Sequence, residues 1–403
     1  VTPGALFAAI PGERVDGHDY IGKAFDLGAA CCLAQRVPAG ETRPVICVPD
    51  TAAALETLAR AYRARFSIPV LGVTGSVGKT TTKEMTACVL QGQFRTARTD
   101  GNHNNNLGLP MSILHIPEGT EVAVLEMGMN HFGEIRYLGE MVRPDIAVIT
   151  NVGDAHIENL GGTRQGILQA KCEIFDHLRP GGLAVLCGDD PLLNGLTLPF
   201  ETLRCGKGES CNVRVTDIVR RGIDGLDCTV TTSRRSYRLS IPSPGDYMIY
   251  PASMAAAIGE YLGLSEQEIV EGVAAYVSTG SRMRRIRLPE DRLIIDDCYN
   301  ANPQAMEAAL EILADTACRR VTKNGVEVPL KNKEYELLLF LMRHPGQVFS
   351  REDLYEMIWG QESMGDNVTV AVHMNRLQEK LEDDPAHPQL LQTVWGVGYR
   401  LSV

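Results

Sequence analysis

The sequence lacks the features that mark membrane, secreted or disulfide-rich proteins. No apolar run approaches the roughly 20 residues that cross a bilayer, and no signal peptide is visible. The eleven cysteines form no CxxC pair and have no regular spacing, which argues against structural zinc. We therefore expect reduced, mostly buried thiols in a cytoplasmic protein. Because the chain starts at Val1 and not at methionine, we also expect an incomplete amino terminus.

An excess of positive charge is also missing. The net charge of −11 argues against wholesale binding to nucleic acid or to anionic membranes. Hydrophobic residues make up 44% and charged residues 22%, which is ordinary for a soluble globular chain. No internal repeat or low-complexity tract is present. A length of 403 residues predicts two to four domains with well-buried cores.

The strongest motif is a glycine-containing loop, Thr74–Thr81, with the sequence TGSVGKTT. It follows a strand pattern at Pro69–Val73 and precedes a helix-like run, Thr81–Leu90. Strand, glycine loop and helix are the context of a phosphate-binding loop. The first glycine of the general GxxxxGK[ST] pattern would fall at Val73, so the match is not strict. The alternative interpretation is a glycine turn with a surface lysine.

Each residue type in this loop suits a nucleotide phosphate. The glycines let successive N–H groups point at one centre, beside the positive end of the following helix. Lys79 supplies a point charge for the β- and γ-phosphates, and the Thr80 hydroxyl is placed to hold Mg²⁺. The predicted nucleotide contacts of the loop are Gly75, Ser76, Gly78, Lys79, Thr80 and Thr81.

Three later residues are candidates for a metal or phosphate site. Glu126 ends a buried strand pattern, at the sheet edge where open α/β folds bind ligands. His156 follows a second strand, Asp145–Thr150, and Lys171 lies in a helix-like stretch, Gly162–Leu178. The alternative interpretation of Glu126 is a solvated strand-end acid. Taken alone, His156 is ambiguous, because most histidines in such a position are simply polar loop residues.

Several motifs in this order resemble the Mur ligases. They are TGSVGKTT, GNHNNNLGLP (Gly101–Pro110), EMGMN (Glu126–Asn130), the Asn151–His156 segment, AKCEIF (Ala170–Phe175) and IIDDCYNANP (Ile294–Pro303). The start of the chain is similar to the UDP-binding domain of the same family. The resemblance covers about Val1–Leu313 and is closest to members that add D-alanyl-D-alanine to UDP-N-acetylmuramoyl-tripeptide. The folate polyglutamate type shares the phosphate loop but fits the other motifs less well.

The resemblance implies an ATP- and Mg²⁺-dependent ligation. A substrate carboxylate takes the γ-phosphate of ATP, and the amine of D-Ala-D-Ala then displaces phosphate from the acyl phosphate. It implies catalytic roles for Lys79, Asn130, His156 and Lys171, the last as a lysine that can be carbamylated. Metal ligands would be Thr80, Glu126, His156 and Lys171. Further nucleotide contacts would be Arg282, Asp297, Tyr299, Asn300 and Asn302.

Two departures from the family pattern weaken this implication. The third domain, which closes over ATP, is reduced to roughly Leu293–Leu313, so we expect impaired ligation. A histidine and an asparagine common in the family are replaced by Tyr247 and Pro251, which affects adenine recognition.

The last part of the chain has a different character. A strand pattern around Val326 and Val328 precedes helices at Glu334–Met342, from Ser350 onward, and at Asn367–Asp383. Within the third helix, Val370, Met374, Leu377 and Leu381 form one predicted core stripe. A hairpin follows in TVWGVGYR (Thr393–Arg400).

This part resembles the winged-helix effector domain of OmpR/PhoB-type response regulators. The resemblance implies that the third helix enters the major groove of double-stranded DNA. The candidate DNA contacts are Thr369, His373, Arg376, Lys380 and Arg400. From Cys318 onward, however, ten Lys and Arg face twelve Asp and Glu, so a solvated helix face remains a strong alternative.

We therefore predict an α/β fold with four parts. Residues 1–68 form a partial UDP-substrate-binding domain, 69–278 a phosphate-loop central domain, 279–317 a remnant of the third ligase domain, and 318–403 an α+β winged helix. The join at Ala314–Cys318 lacks a linker, so a deletion, a rearranged reading frame or a cloning artefact explains it better than a working fusion. Three functions stay open: an impaired ligase, a DNA-binding regulator that responds to a nucleotide precursor, and a non-functional hybrid.

Overall fold

The structure is a computed structural model that describes residues 1–12, 14–280, 282–287, 293–299, 306, 309, 310, 312, 321–323, 326–359 and 368–402. The chain forms two compact units, Val1–Arg284 and Arg285–Val403. In the part of the chain that the structure describes, no helix is both long and apolar enough to span a membrane.

The first unit begins with a small parallel sheet. Its strands are β1 (Leu6–Ala8), β2 (Cys31–Ala34) and β3 (Val45–Cys47), with helix α1 (Ile21–Asp26) before β2. Cys32 and Ala34 of β2 pack with Ile21, Ala24 and Phe25 of α1 in a separate small core. Helix α2 (Thr51–Arg63) starts at the capping side chain of Asp50 and leads into the next sheet.

The main sheet of the first unit aligns nine strands in the order β12-β11-β10-β9-β8-β7-β4-β6-β5. Strands β4 to β10 pair in parallel, and β11 and β12 add an antiparallel edge. The strands are β4 (Val70–Thr74), β5 (Thr96–Arg98), β6 (Val122–Glu126), β7 (Ile146–Ile149), β8 (Leu183–Cys187), β9 (Glu201–Gly206), β10 (Val213–Arg220), β11 (Leu226–Thr231) and β12 (Ser236–Ile241).

Helices cover both faces of this sheet, and its central strands are mainly apolar. Strands β4, β6, β7 and β8 are buried at every position, as expected for parallel strands covered on both faces. The helices are α3 (Lys79–Leu90), α4 (Gly108–Leu114), α5 (Glu134–Val142), α6 (Arg164–Cys172), α7 (Pro191–Asn194), α8 (Ile249–Tyr261) and α9 (Glu266–Ala274). Helix α3 packs against α8 and α9. The carboxyl ends of β4, β6 and β7 therefore lie side by side, next to the start of α3.

The second unit contains a three-helix core with short strands. Its helices are α10 (Asn332–Arg343), α11 (Arg351–Trp359) and α12 (Val368–Leu381). Strands β15 (Val321–Lys323) and β16 (Val326–Val328) form one antiparallel pair, and β17 (Leu391–Val394) and β18 (Gly398–Leu401) form another. The pair β13 (Arg284–Arg287) and β14 (Leu293–Asp296) precedes them in the chain.

Most predicted elements are present, with one difference in length. Val370, Met374 and Leu377 are fully buried in the core of the second unit, as the stripe on α12 predicts. The predicted helix Gly162–Leu178 is shorter: α6 ends at Cys172, and Glu173–His177 continues as a 3₁₀ helix. At this change the buried Glu173 carboxylate accepts hydrogen bonds from the N–H groups of Gly133 and Arg136, at the start of α5.

Candidate functional site

The phosphate loop joins β4 to α3 through two glycines in left-handed backbone conformations. Gly78 has a φ of 78° and is the residue from which α3 starts. Gly75 has a φ of 152°, and a Cβ atom there would lie 1.8 Å from the Thr150 hydroxyl. A side chain at Gly75 is therefore excluded by neighbouring atoms as well as by conformation. The loop is shaped so that the first N–H groups of α3 remain free for an anion.

The segment after β7 holds this loop in place. The Thr150 hydroxyl and the Asn151 side-chain amide donate hydrogen bonds to the Val77 carbonyl, at 2.6 and 3.0 Å. The Asn151 side-chain oxygen accepts from Val77 N–H at 3.0 Å, and Ser76 Oγ accepts from Gly153 N–H at 2.9 Å. Of the residues in this segment, only His156 has a role predicted from the sequence. The polar pair Thr150–Asn151 at a strand end is the sequence signal for the contacts with the loop.

Lys79 folds back over the loop that it follows. Its Nζ donates to the carbonyls of Gly75 at 2.8 Å and of Ser76 at 3.4 Å. Loss of hydration lowers the pKa of Lys79, Glu126 raises it, and the nearby charge of Arg282 lowers it further. Arg282 thus lies near the loop lysine within the same unit, in keeping with the phosphate contact predicted for it. An anion here would relieve the repulsion between these two cations.

Glu126, at the end of β6, is almost fully enclosed by polar partners. Its Oε2 accepts from the Thr80 hydroxyl at 2.9 Å and its Oε1 from the Asn104 side-chain amide at 2.7 Å. The Thr99 hydroxyl accepts from the backbone N–H of Glu126 at 2.9 Å. Thr80 and Glu126 thus bring a hydroxyl and a carboxylate together, and Mg²⁺ is commonly held by one or two such oxygens together with phosphate oxygens. Their side chains fit the metal role predicted from the sequence.

Lys171, on α6, lies close enough to Lys79 for the charge of Lys79 to repel its ammonium. It is buried, and desolvation, followed by repulsion from Lys79, lowers its pKa to about 7. His156 lies near both lysines, in a left-handed conformation at a φ of 63°. Desolvation and the charges of Lys79 and Lys171 lower the pKa of His156, while Glu134 raises it. We call Lys79, Lys171 and His156 the cation triad.

The remaining predicted residues of the first unit lie around this centre. Thr81 is half-buried in the first turn of α3. The backbone N–H of Asn130 donates to Glu134 Oε2 at 2.6 Å, and its side chain is exposed. Tyr247 is partly exposed just before α8, whereas Pro251 is buried in the first turn of that helix. A buried proline leaves no polar group for a base at that position.

Four predicted nucleotide contacts lie in the second unit or outside the described residues. Asp297 and Tyr299 directly follow β14, with Asp297 half-buried and Tyr299 exposed. Asn300 and Asn302 lie outside the residues that the structure describes.

Two of the predicted DNA contacts on α12 point toward the protein. Lys380 Nζ lies 2.6 Å from Oε2 of Glu334, a fully buried carboxylate, and 2.8 Å from the carbonyl oxygen of Pro329. The His373 ring is half-buried against Trp359, with ring centroids 5.4 Å apart. Burial lowers the pKa of His373. Lys380 therefore has a structural partner already, and its ammonium is not free for a phosphate.

The three other candidate DNA contacts are exposed or half-buried. Arg376 is exposed and forms no hydrogen bond or ion pair with any described residue. Thr369 is half-buried in the first turn of α12, and Arg400 in β18 donates to Gln392 Oε1 at 3.0 Å. Gln378 is buried and donates to the Leu391 carbonyl at 2.7 Å. The solvent face of α12 is formed by Val372, Asn375, Arg376 and Glu379.

A glycine loop between a parallel strand and a helix, flanked by clustered cations and a carboxylate beside a hydroxyl, defines the class of α/β proteins that bind nucleotide phosphates. Comparison with known protein families supports the same class. The family model described as Mur ligase middle domain matches residues 73–259, and that described as Mur ligase family, catalytic domain, matches residues 1–63. The family model described as transcriptional regulatory protein, C terminal, matches residues 325–401.

Curated relatives and solved structures extend this result. The chain is 40% identical to the UDP-N-acetylmuramoyl-tripeptide–D-alanyl-D-alanine ligase of Bacillus subtilis over 309 residues, which are 76% of this chain and 66% of that protein. It is 35% identical to the enzyme of the same name from Escherichia coli, over 81% of this chain and 72% of that protein. The structure of MurF ligase from Thermotoga maritima in complex with ADP matches with a TM-score of 0.68 and 31% identity, over 84% of this chain and 79% of that one.

This chain belongs to the Mur ligase family. It spans about two thirds of the length of the curated relatives it matches, and its residues 325–401 carry the regulatory winged-helix match instead. The predicted α/β fold with a carboxyl-terminal winged helix is thereby confirmed.

Proposed function

We propose that this chain is an ATP-dependent ligase of peptidoglycan precursor synthesis that adds D-Ala-D-Ala to UDP-N-acetylmuramoyl-tripeptide, with ligation impaired by the reduced third domain. The curated relatives carry this activity in their names. The single observation that supports the proposal best is the cation triad beside the phosphate loop. Lys79 disfavours the charged forms of Lys171 and His156, and an anion bound beside them would relieve this repulsion.

Each side chain then has a defined task in the first unit. The loop N–H groups and Lys79 would bind the nucleotide phosphates and neutralise charge that develops during phosphoryl transfer. Thr80 and Glu126 would hold a Mg²⁺ ion, which supplies Lewis-acid stabilisation of the phosphate oxygens. Arg282 would add a further positive charge near Lys79. Asp297, Tyr299, Asn300 and Asn302 remain proposed nucleotide contacts by resemblance.

The other two members of the cation triad fit a second metal. Because the pKa of Lys171 is about 7, a large share of its amine is neutral at physiological pH and can react with CO₂. The resulting carbamate would be an anion between Lys79 and His156. A neutral His156 would then be free to act as a ligand, in keeping with its lowered pKa. Asn130, four residues after Glu126, remains a proposed catalytic residue by resemblance.

Phosphate release by the full chain tests the ligase proposal. The assay contains ATP, Mg²⁺, UDP-N-acetylmuramoyl-tripeptide and D-Ala-D-Ala, and compares the wild type with Lys79→Ala and with Lys23→Ala, an exposed lysine of α1. We expect slow release that requires both substrates, is abolished in Lys79→Ala and is unchanged in Lys23→Ala. Release that ignores the substrates, or that survives Lys79→Ala, contradicts the proposal.

A second function, DNA binding by the second unit, is favoured by the exposed and unpaired Arg376 on α12. Thr369 and Arg400 would add contacts to the phosphate backbone of double-stranded DNA. His373 and Lys380 remain candidates only if their present contacts break. The four-part domain division, with boundaries near residues 68, 278 and 317, also remains a proposal. Proteolysis that yields a stable fragment starting near residue 318 would support the last boundary.

A further inference from the structure

A second lysine on α3, Lys83, is completely buried one turn beyond the phosphate loop. Its side chain is 0% exposed. Its Nζ donates to the carbonyls of Thr99 at 2.7 Å and of Gly101 at 3.3 Å, and lies 2.9 Å from Glu84 Oε1. A buried ammonium is costly unless its partners are well placed, so the groups around it indicate its role.

The segment that Lys83 holds is the one that orients Glu126. Thr99 gives its carbonyl to Lys83 and accepts the backbone N–H of Glu126 with its hydroxyl, at 2.9 Å. Five residues later, Asn104 donates to Glu126 Oε1 at 2.7 Å. One ammonium thus ties α3, which carries Thr80, to the segment that fixes the neighbouring carboxylate.

Lys83 also acts on Glu126 through its charge. The two groups are 3.9 Å apart, from Nζ to Oε2, which is within ion-pair range but beyond a hydrogen bond. Among the described residues, no other lysine or arginine nitrogen lies within 4.0 Å of this carboxylate. This contact adds to the hydrogen bonds from Thr80 and Asn104 that hold the Glu126 carboxylate in one orientation.

We propose that Lys83 is a positioning residue that orients Glu126 for a divalent cation, and so sets how strongly Mg²⁺ promotes nucleotide binding. Its ammonium is enclosed by protein groups, the carbonyls of Thr99 and Gly101 and the carboxylate of Glu84. The inference rests on the proposed function, because it presupposes a nucleotide–metal site at Thr80 and Glu126. Groups that orient a metal ligand typically change metal affinity by about 10- to 100-fold.

Binding of a fluorescent ADP analogue to the full chain tests this role. The affinity is measured over a series of Mg²⁺ concentrations and in EDTA, for the wild type, Lys83→Met and Thr86→Val. Thr86 is the matched control, because it lies on the same helix, is 0% exposed and has a hydroxyl without a partner. We expect Lys83→Met to keep its metal-free affinity within about twofold and to lose roughly tenfold of the Mg²⁺ effect, while Thr86→Val follows the wild type.

Two results overturn the inference. One is a Mg²⁺ response of Lys83→Met equal to that of the wild type. The other is an equal loss of affinity with and without Mg²⁺, which indicates a purely structural lysine. If circular dichroism shows that Lys83→Met is unfolded, Lys83→Gln replaces it, since it keeps an N–H donor for the Thr99 carbonyl without the charge, and the same criteria apply. A wild type that binds no analogue contradicts the proposed function itself, and that failure is visible without any variant.

Discussion

Two regions of this chain, one around the start of α3 and the other on α12, carry the cations on which its proposed activities rest, and the two regions use them in opposite ways. At the start of α3, Lys79 lies near Lys171 and His156, and no described carboxylate is within ion-pair distance of either lysine. On α12, Lys380 is paired at 2.6 Å with the buried Glu334, and His373 packs against Trp359.

This difference separates a ligand site from a structural contact. In the first unit Lys79 lowers the pKa of Lys171 and of His156, and the negative charge of a bound phosphate would offset this repulsion. In the second unit the charge of Lys380 is already compensated inside the fold by a buried carboxylate. The same residue type therefore predicts binding in the first unit and stability in the second. Variants that remove one cation at a time test this distinction.

The largest effect is expected on the stability of the second unit. Lys380→Met leaves the buried Glu334 carboxylate without its counter-ion, so we expect a loss of about 3 kcal/mol in the free energy of unfolding. Both tryptophans, Trp359 and Trp395, lie in this unit, so their fluorescence during urea unfolding reports on it alone. Arg376→Ala, at an exposed position of the same helix, should change stability by less than about 0.5 kcal/mol. Equal losses of stability in Lys380→Met and Arg376→Ala would contradict the assignment of Lys380 to a structural contact.

A smaller, pH-dependent effect is expected at Lys171. Its folded pKa of about 7 lies below the usual value of 10.5, so burial of its charge destabilises the fold most fully below pH 7. This penalty fades as the pH rises from 7 toward 10.5, because the folded state releases its proton first. Lys171→Met should therefore stabilise the first unit by about 2 kcal/mol at pH 6.5 and by much less at pH 10. Circular dichroism during urea unfolding measures this, and a gain independent of pH would contradict the assignment.

The smallest effect is expected for DNA binding. Arg376 is exposed and unpaired among the described residues, so Arg376→Ala should weaken binding of a DNA duplex by about 1 kcal/mol and reduce the salt dependence by about one charge. Fluorescence anisotropy at several salt concentrations, with the second unit shown to be folded by tryptophan fluorescence, gives both quantities. An unchanged affinity and salt slope would mean that α12 does not contact DNA through Arg376.

The sequence predicts those parts of the site that are local in the chain. The phosphate loop and the strand and helix beside it are recognisable within a single short stretch, because spacing and residue type alone define them. The partners of these residues are far away in sequence: Thr80 and Glu126 are 46 residues apart, and so are Glu334 and Lys380. No periodicity encodes such pairs. The sequence therefore predicts a DNA contact at Lys380, whereas the structure places this lysine beside a buried carboxylate.

Helical spacing alone also does not predict which face of α12 is exposed. A stripe a quarter-turn from the core is expected to face solvent, but Trp359 on α11 and Glu334 on α10 extend the packed surface over His373 and Lys380. The exposed face is therefore rotated toward Val372, Asn375, Arg376 and Glu379. Arg376 lies on both the predicted and the observed faces.

Calorimetric titration of the full chain with ATP and Mg²⁺ tests the central claim most directly, because it requires neither the UDP-linked precursor nor turnover. The claim is that the unpaired cations around the phosphate loop form a nucleotide-phosphate site with Lys79 at its centre. We predict saturable binding by the wild type and by Lys23→Ala, and affinity at least roughly 30-fold lower for a folded Lys79→Ala. Equal affinities of the wild type and Lys79→Ala would contradict the claim, as would the absence of binding to the wild type.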